Sequence, residues 1–152
     1  MRFNTKDITY YNQPFDHWVL DNFLDVNDAK KLSNQFIDFD NPTEEIIHYK
    51  GWIGEKRTCN RWDRFPPLTY STFSNLLSDK FIDKLSDITG ITPLYPDIGL
   101  HGGGWHMSGK GGSLAMHLDY SIHPKMNLQR KLNLIIYLEE DYDPEWGGSL
   151  QF

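Results

Sequence analysis

Apolar residues recur at helical intervals in two parts of the chain. One part, 26–37, follows Asp25, a residue type that often caps a helix N-terminus. The other part, 77–88, is followed by Gly90 and then by Pro93, the usual order of residues at a helix end. The sequence therefore predicts two amphipathic helices.

Shorter apolar runs predict strands. One such run, 17–24, precedes the first helix, and a stretch rich in Trp, Gly and Pro over 49–70 indicates short strands and loops. After residue 90 glycine-rich turns separate four further strand-like runs: 98–107, 114–120, 131–139 and 148–152. We therefore expect a single α+β domain, with a strand and helix support region over 1–90 and a β core over 91–152.

Composition and charge narrow the class of protein. The 152 residues suit one domain, and 5 Trp, 8 Tyr and 9 Phe are too many for a disordered chain. The run 132–138 is too short to span a membrane, and the polar start has no signal-peptide core. A net charge of -6 argues against nucleic-acid or membrane partners, and a single cysteine, Cys59, fits a reducing compartment. We expect a soluble, cytoplasmic protein in which Cys59 is an inert, half-buried thiol.

The feature that points most directly to chemistry is His117-Leu-Asp119. Residues i and i+2 of a strand lie on the same face, so a strand here would place an imidazole beside a carboxylate. Such a pair suits a divalent metal, because non-haem iron centres use two histidines and one carboxylate and leave the other positions open. The alternative for this tripeptide alone is a strand-end histidine followed by a turn aspartate.

The surrounding sequence resembles the Fe(II)/2-oxoglutarate dioxygenases of the prolyl 4-hydroxylase type. Three blocks carry the resemblance in the family's order: residues 111–120 around His117, residues 130–139 from Arg130 onward, and Trp146-Gly-Gly-Ser-Leu150. The entry segment 19–25 with the helix after it is also similar, so the resemblance covers most of residues 17–152.

The resemblance implies a fold, a reaction and a set of site residues. The fold would be a double-stranded β-helix, or jelly roll, with N-terminal helices packed on one sheet. His117 and Asp119 would be the first two iron ligands, Tyr137 would hydrogen-bond the distal carboxylate of 2-oxoglutarate, and Asn133, on the same strand face, is a weaker candidate for the pocket lining. The cofactors would be Fe(II) and 2-oxoglutarate, with ascorbate as a candidate reductant. O₂ would hydroxylate an unactivated C–H bond of a small-molecule or peptidyl substrate.

Two features of the family have no match here. The resemblance implies a later histidine as third ligand and, beyond it, an Arg or Lys for the co-substrate carboxylate. His123, beside Pro124, is the only histidine after Asp119, and Arg130 matches the family's strand-opening arginine rather than its co-substrate clamp. We expect a chain cut short, with an incomplete barrel, poor activity alone, and sheet edges through which copies could associate.

Other interpretations remain open. The chain could be a non-catalytic binding or assembly module, or a zinc-binding jelly roll that uses His106, His117, Asp119 and His123. Residues 104–110 fit the start of a phosphate-binding loop, although Gly111 replaces the residue that would hold Mg²⁺; a hairpin is favoured instead. Five aromatic residues could form a substrate platform, but core packing is favoured. They are Tyr49, Trp52, Trp62, Phe65 and Tyr70.

Overall fold

The computed structural model describes residues 2–35, 56–108, 112 and 114–150. They fall into two compact units: 2–35 with 137–150, and 56–136. Within these ranges no helix is both long and apolar enough to cross a membrane.

The first unit contains a strand pair and one helix. β1 (Ile8–Tyr11) and β2 (His17–Leu20) are antiparallel, with Ile8 opposite Leu20. α1 (Val26–Asn34) follows, and the Asp25 carboxylate accepts a hydrogen bond from the backbone N–H of Asn27 at 2.9 Å. The predicted cap and helix are confirmed as far as residue 34. The predicted strand over 17–24 is four residues shorter than expected, and residues 36 and 37 lie outside the described residues.

The second unit combines a strand pair with a helix pair. β3 (Lys56–Cys59) pairs with β4 (Trp105–Ser108) in antiparallel register, with Thr58 opposite His106. In the chain, α2 (Pro67–Leu76) and α3 (Asp79–Thr89) come between these two strands, and the two helices pack against each other. The strand predicted over 98–107 is thus confirmed only at its C-terminal end.

Residues at the start of both helices and at the end of α3 favour the observed boundaries. Pro67 occupies the first turn of α2, where its missing N–H removes no hydrogen bond. The Ser78 hydroxyl accepts a hydrogen bond from the backbone N–H of Phe81 and so caps α3. At the other end Gly90 adopts φ 72°, the left-handed conformation that glycine adopts without strain. The second predicted helix and its glycine stop are confirmed, whereas α2 replaces the end of a predicted loop region.

Aromatic packing forms the core of the second unit. Phe65 and Phe73 stack with ring centroids 4.9 Å apart, and Trp62 meets Phe73 edge-on at 6.4 Å. Trp105 from β4 also meets Phe73 edge-on, at 6.4 Å. Core packing is therefore confirmed for Phe65, which is buried, whereas Trp62 packs against it but is only half-buried. Tyr70 contacts Trp62 but stays half exposed, and Tyr49 and Trp52 lie outside the described residues.

Gly104 has a structural role at the start of β4. Its φ is 101°, and a Cβ there would overlap the carbonyl oxygen of Cys59 on β3. The glycine therefore allows two backbones to approach closely, and the residues directly after it, Trp105–Ser108, form a strand rather than a helix. Both observations argue against a phosphate-binding loop. Cys59 itself is buried rather than half-buried, with 6% of its surface exposed.

Several strands predicted for the C-terminal half are absent. Residues 114–120, 131–139 and 148–150 form no strand, and the described ranges contain two two-stranded sheets but no closed barrel. A strand needs a partner edge as well as an alternating pattern, and only β4 finds one here. The alternation itself survives in part, because residues 132, 136 and 138 are half-buried whereas 133, 135 and 137 are exposed.

Candidate metal centre

The His117 and Asp119 side chains face each other. His117 Nε2 lies 3.5 Å from Asp119 Oδ1, and both side chains are partly exposed. Two ligands of one first-row metal, each about 2.1 Å from the ion and about 90–110° apart, are separated by about 3.0–3.4 Å. The observed separation is close to that range, although the segment belongs to no strand ladder.

Local hydrogen bonding fixes which nitrogen of His117 is available. Nδ1 lies 2.7 Å from the carbonyl oxygen of Ala115. A carbonyl oxygen only accepts, so Nδ1 must carry the proton and donate it. In the neutral ring the lone pair is then on Nε2, the atom that faces Asp119. Metal-binding histidines are usually held in this way, with the second ring N–H bonded to a backbone carbonyl or a carboxylate.

Arg130 forms an ion pair with the second carboxylate oxygen of Asp119. Its Nη2 lies 3.1 Å from Asp119 Oδ2, while Oδ1 is the oxygen that faces His117. The guanidinium also lies over the ring of Tyr120, with Cζ 4.8 Å from the ring centroid. Contacts with both a carboxylate and an aromatic face limit the positions open to the guanidinium.

A tight turn returns the chain so that Arg130 reaches Asp119. The backbone N–H of Arg130 donates to the carbonyl of Ser121 at 2.8 Å, and that of His123 donates to the carbonyl of Leu128 at 2.8 Å. At the tip Asn127 has φ 54°, a conformation that asparagine tolerates better than most residues.

His123 stabilises this turn from inside. Its Nδ1 accepts the backbone N–H groups of Lys125 and Met126, at 3.2 and 3.0 Å, so this nitrogen holds no proton. The neutral ring therefore carries its proton on Nε2, which lies 3.3 Å from Asp97 Oδ2. The side chain is buried, with 7% of the residue surface exposed. Nδ1 is thus bonded to the turn, whereas the buried Nε2 makes no hydrogen bond to the described residues although it lies near Asp97.

Asp97 and Tyr120 connect the turn to the loop before β4. The Asp97 carboxylate accepts the backbone N–H groups of Gly99 and His101, at 3.0 and 2.6 Å. The Tyr120 hydroxyl donates to the carbonyl of His101 at 2.8 Å, and the rings of His101, Tyr120 and His123 meet edge-on. These contacts hold in place the residue that directly follows Asp119.

The pKa values of two basic groups, one on β3 and one on β4, are lowered. Burial lowers the pKa of Lys56, and the charge of Asp119 opposes this shift only partly. Burial also lowers the pKa of His106, and the charge of Lys56 lowers it further. Burial disfavours the charged form of a basic group, which explains both directions.

No third ligand joins the pair within the part of the chain that the structure describes. There, no three His, Cys, Asp or Glu side chains converge as a metal site requires. The zinc set of His106, His117, Asp119 and His123 is therefore not brought together. His123 is not among any such group of described residues, and its Nδ1 is already used by the backbone of the turn.

The two residues assigned to the co-substrate stay predictions. Asn133 is exposed in the second unit. Tyr137 belongs to the first unit, where 65% of its surface is exposed.

The sequence did not predict that Asp97 and Tyr120 lie near the metal pair. It also did not predict that Arg130 pairs with Asp119. One signal for the pairing of Arg130 with Asp119 is the segment His123-Pro-Lys-Met-Asn127, a turn-prone stretch between Ile122 and Leu128. A hairpin there returns the chain toward Asp119.

Comparison with protein families gives one match. Residues 103–152 match the model of the 2OG-Fe(II) oxygenase superfamily, and this segment contains His117, Asp119 and Arg130. The match supports membership of that superfamily, whose members use Fe(II) and 2-oxoglutarate, and so confirms the resemblance at this level. It points to an oxidoreductase of the oxygenase class and does not distinguish the prolyl 4-hydroxylase type. Comparisons with curated proteins and with solved structures give no match.

Proposed function

We propose that the chain contributes His117 and Asp119 as iron ligands of a 2-oxoglutarate-dependent oxygenase that hydroxylates an unactivated C–H bond. The main support is the arrangement of the pair, with Nε2 of His117 left as the lone-pair nitrogen 3.5 Å from Asp119 Oδ1. The family match over the same residues agrees with this assignment.

The donor atoms suit Fe(II). One neutral imidazole nitrogen and one carboxylate oxygen are two of the three donors of the facial triad, which leaves further metal positions for a co-substrate and O₂. When bound, the iron would supply the O₂ chemistry, whereas the protein binds and orients the reacting groups. We further propose that the oxygenase is of the prolyl 4-hydroxylase-like type and acts on a peptidyl or small-molecule substrate.

The chain's own residues would have distinct tasks. The Ala115 carbonyl keeps the proton of His117 on Nδ1, so that Nε2 can bind a cation without first losing a proton. As the resemblance implies, Tyr137 is proposed to donate its hydroxyl to the distal carboxylate of 2-oxoglutarate, and Asn133 stays a weaker candidate for binding the co-substrate.

Metal titration tests the proposal. Mn²⁺ binding, followed by the loss of the free-ion EPR signal, should be tighter in the wild type than in His117→Ala, Asp119→Ala or the double variant. The controls are His17→Ala and Asp141→Ala, which remove the same side-chain types in the first unit. Equal affinity for wild type and double variant would contradict the assignment.

Co-substrate chemistry separates the alternatives. Formation of succinate from 2-oxoglutarate with Fe²⁺, lost in His117→Ala, would support an oxygenase. Zinc retained through purification with no effect of 2-oxoglutarate would instead support a zinc-binding jelly roll. A chain that binds neither metal nor 2-oxoglutarate would support a binding or assembly module.

A further inference from the structure

We infer that Arg130 is a positioning residue that holds Asp119 as a one-oxygen ligand and thereby makes the site select small, octahedral divalent ions over Ca²⁺. This inference rests on the proposed metal site. It concerns the geometry of the carboxylate, which neither the family match nor the sequence assigns.

The contacts divide the two oxygens of Asp119 between two neighbours. Oδ2 is 3.1 Å from Arg130 Nη2, and Oδ1 is 3.5 Å from His117 Nε2. A metal shared with His117 would therefore meet Oδ1, while Oδ2 stays bound to the guanidinium. For the carboxylate to bind through both oxygens, it would have to rotate and break a charge-assisted hydrogen bond.

The guanidinium is itself constrained. The Tyr120 ring lies 4.8 Å from its Cζ, the turn fixes the backbone N–H of Arg130 to Ser121, and only 21% of the side chain is exposed. A side chain held at both ends loses little further freedom when it pairs with Asp119. The carboxylate orientation is therefore built into the turn before any ion binds.

The choice of metal should follow from this orientation. Ca²⁺ takes six to eight oxygen ligands and often binds carboxylates through both oxygens, whereas smaller first-row ions accept a single oxygen in octahedral geometry. If Asp119 coordinates the ion through one oxygen only, the affinity for Ca²⁺ should therefore be lowered more than the affinity for Co²⁺ or Mn²⁺.

A selectivity ratio isolates positioning from charge. Removal of a guanidinium weakens the repulsion of every divalent cation alike, and partial loss of folded protein lowers both affinities alike. Both effects cancel in the ratio of the Ca²⁺ Kd to the Co²⁺ Kd. A change in this ratio therefore reports the geometry of the site, which a merely structural role of Arg130 would not alter.

The experiment measures this ratio by Co²⁺ absorption titration and Ca²⁺ competition. In Arg130→Gln we expect it to fall about tenfold, the lower end of the usual effect of outer-shell changes on metal affinity. Arg130→Lys should restore at least part of the ratio, because its ammonium group can still donate to Oδ2 although it lacks the planar face that lies over Tyr120. Arg61→Gln is the control, since it breaks an exposed pair with Asp63 in the same unit.

The outcomes distinguish the inference from the proposed function. A lowered ratio in Arg130→Gln with rescue by Arg130→Lys supports the inference. An unchanged ratio in Arg130→Gln, with Co²⁺ binding still dependent on His117, overturns the inference and leaves the proposed function standing. Absence of His117-dependent Co²⁺ binding in the wild type overturns both.

Discussion

The helix pair α2–α3 and the segment 114–130 lie in the same unit but are held by different forces. In the helix pair, backbone groups bond within each helix and the buried side chains include Thr69, Leu76 and Phe81. In the segment, Leu118 is 97% exposed, and order comes from a few polar and aromatic contacts around His123 and Arg130. Burial therefore stabilises the first region, and directed contacts shape the second.

This difference predicts where substitutions change stability and where they change only the site. We expect the largest effects on unfolding in the helix pair and β3–β4, smaller effects in the turn, and the smallest at exposed positions. The following predictions test this order.

The largest effect is expected for Phe81→Ala in α3. Phe81 is 6% exposed, so its truncation removes buried apolar surface and leaves a cavity, at a cost of about 3–5 kcal/mol. Urea denaturation followed by tryptophan fluorescence measures the change in unfolding free energy. Leu118→Ala is the matched control and should change it by less than about 0.5 kcal/mol. Similar losses in both variants would show that the two regions do not differ as described.

Gly104→Ala should come next, at about 3 kcal/mol, because the new Cβ meets the β3 backbone and φ is unfavourable. Gly102→Ala separates these two causes, since Gly102 also has φ 72° but its Cβ would lie 3.7 Å from the Tyr120 ring, at ordinary contact distance. We expect about 1 kcal/mol there. Equal costs, measured by the same denaturation experiment, would mean that backbone approach contributes nothing.

A moderate effect is expected for His123→Ala in the turn. The variant leaves the backbone N–H groups of Lys125 and Met126 without their acceptor, which costs about 1–3 kcal/mol if water does not replace it. Lys125→Ala removes an exposed side chain and keeps its backbone N–H, so it should be near neutral. Thermal unfolding of both variants gives the comparison, and an unaltered melting temperature in His123→Ala would argue against this structural role.

The contrast between regions also explains which parts of the structure the sequence predicted. α1 and α3 follow from local rules, because periodic apolar residues, the Asp25 cap and the Gly90 stop each act within one helix; the Ser78 cap was not predicted. α2 was missed because Pro66 and Pro67 were interpreted as loop residues, although proline also suits the first turn of a helix.

The strands and the site depend on partners far along the chain. β4 pairs with β3, about fifty residues earlier, and no local pattern specifies that partner. His117 and Asp119 lie close together, as their spacing of two residues predicts, but the strand on which that prediction relied is not formed by 114–120. By contrast, the contact of Asp119 with Arg130 depends on the turn between them, whose closure cannot be inferred from either residue alone.

The smallest effect is expected from the pH dependence of His106 on β4. Burial and the charge of Lys56 lower its pKa, so the folded protein binds this proton less readily than the unfolded chain does. The free energy of unfolding should therefore fall as the pH drops from 7 through the ordinary histidine value near ~6.5, and the loss should be complete below the folded-state pKa. Because part of the side chain is exposed, water screens the effect to about 0.5 kcal/mol or less. His106→Gln should flatten the stability curve on the acidic side of pH 7 relative to the wild type. A curve for His106→Gln as steep as that of the wild type would assign the pH dependence to other groups.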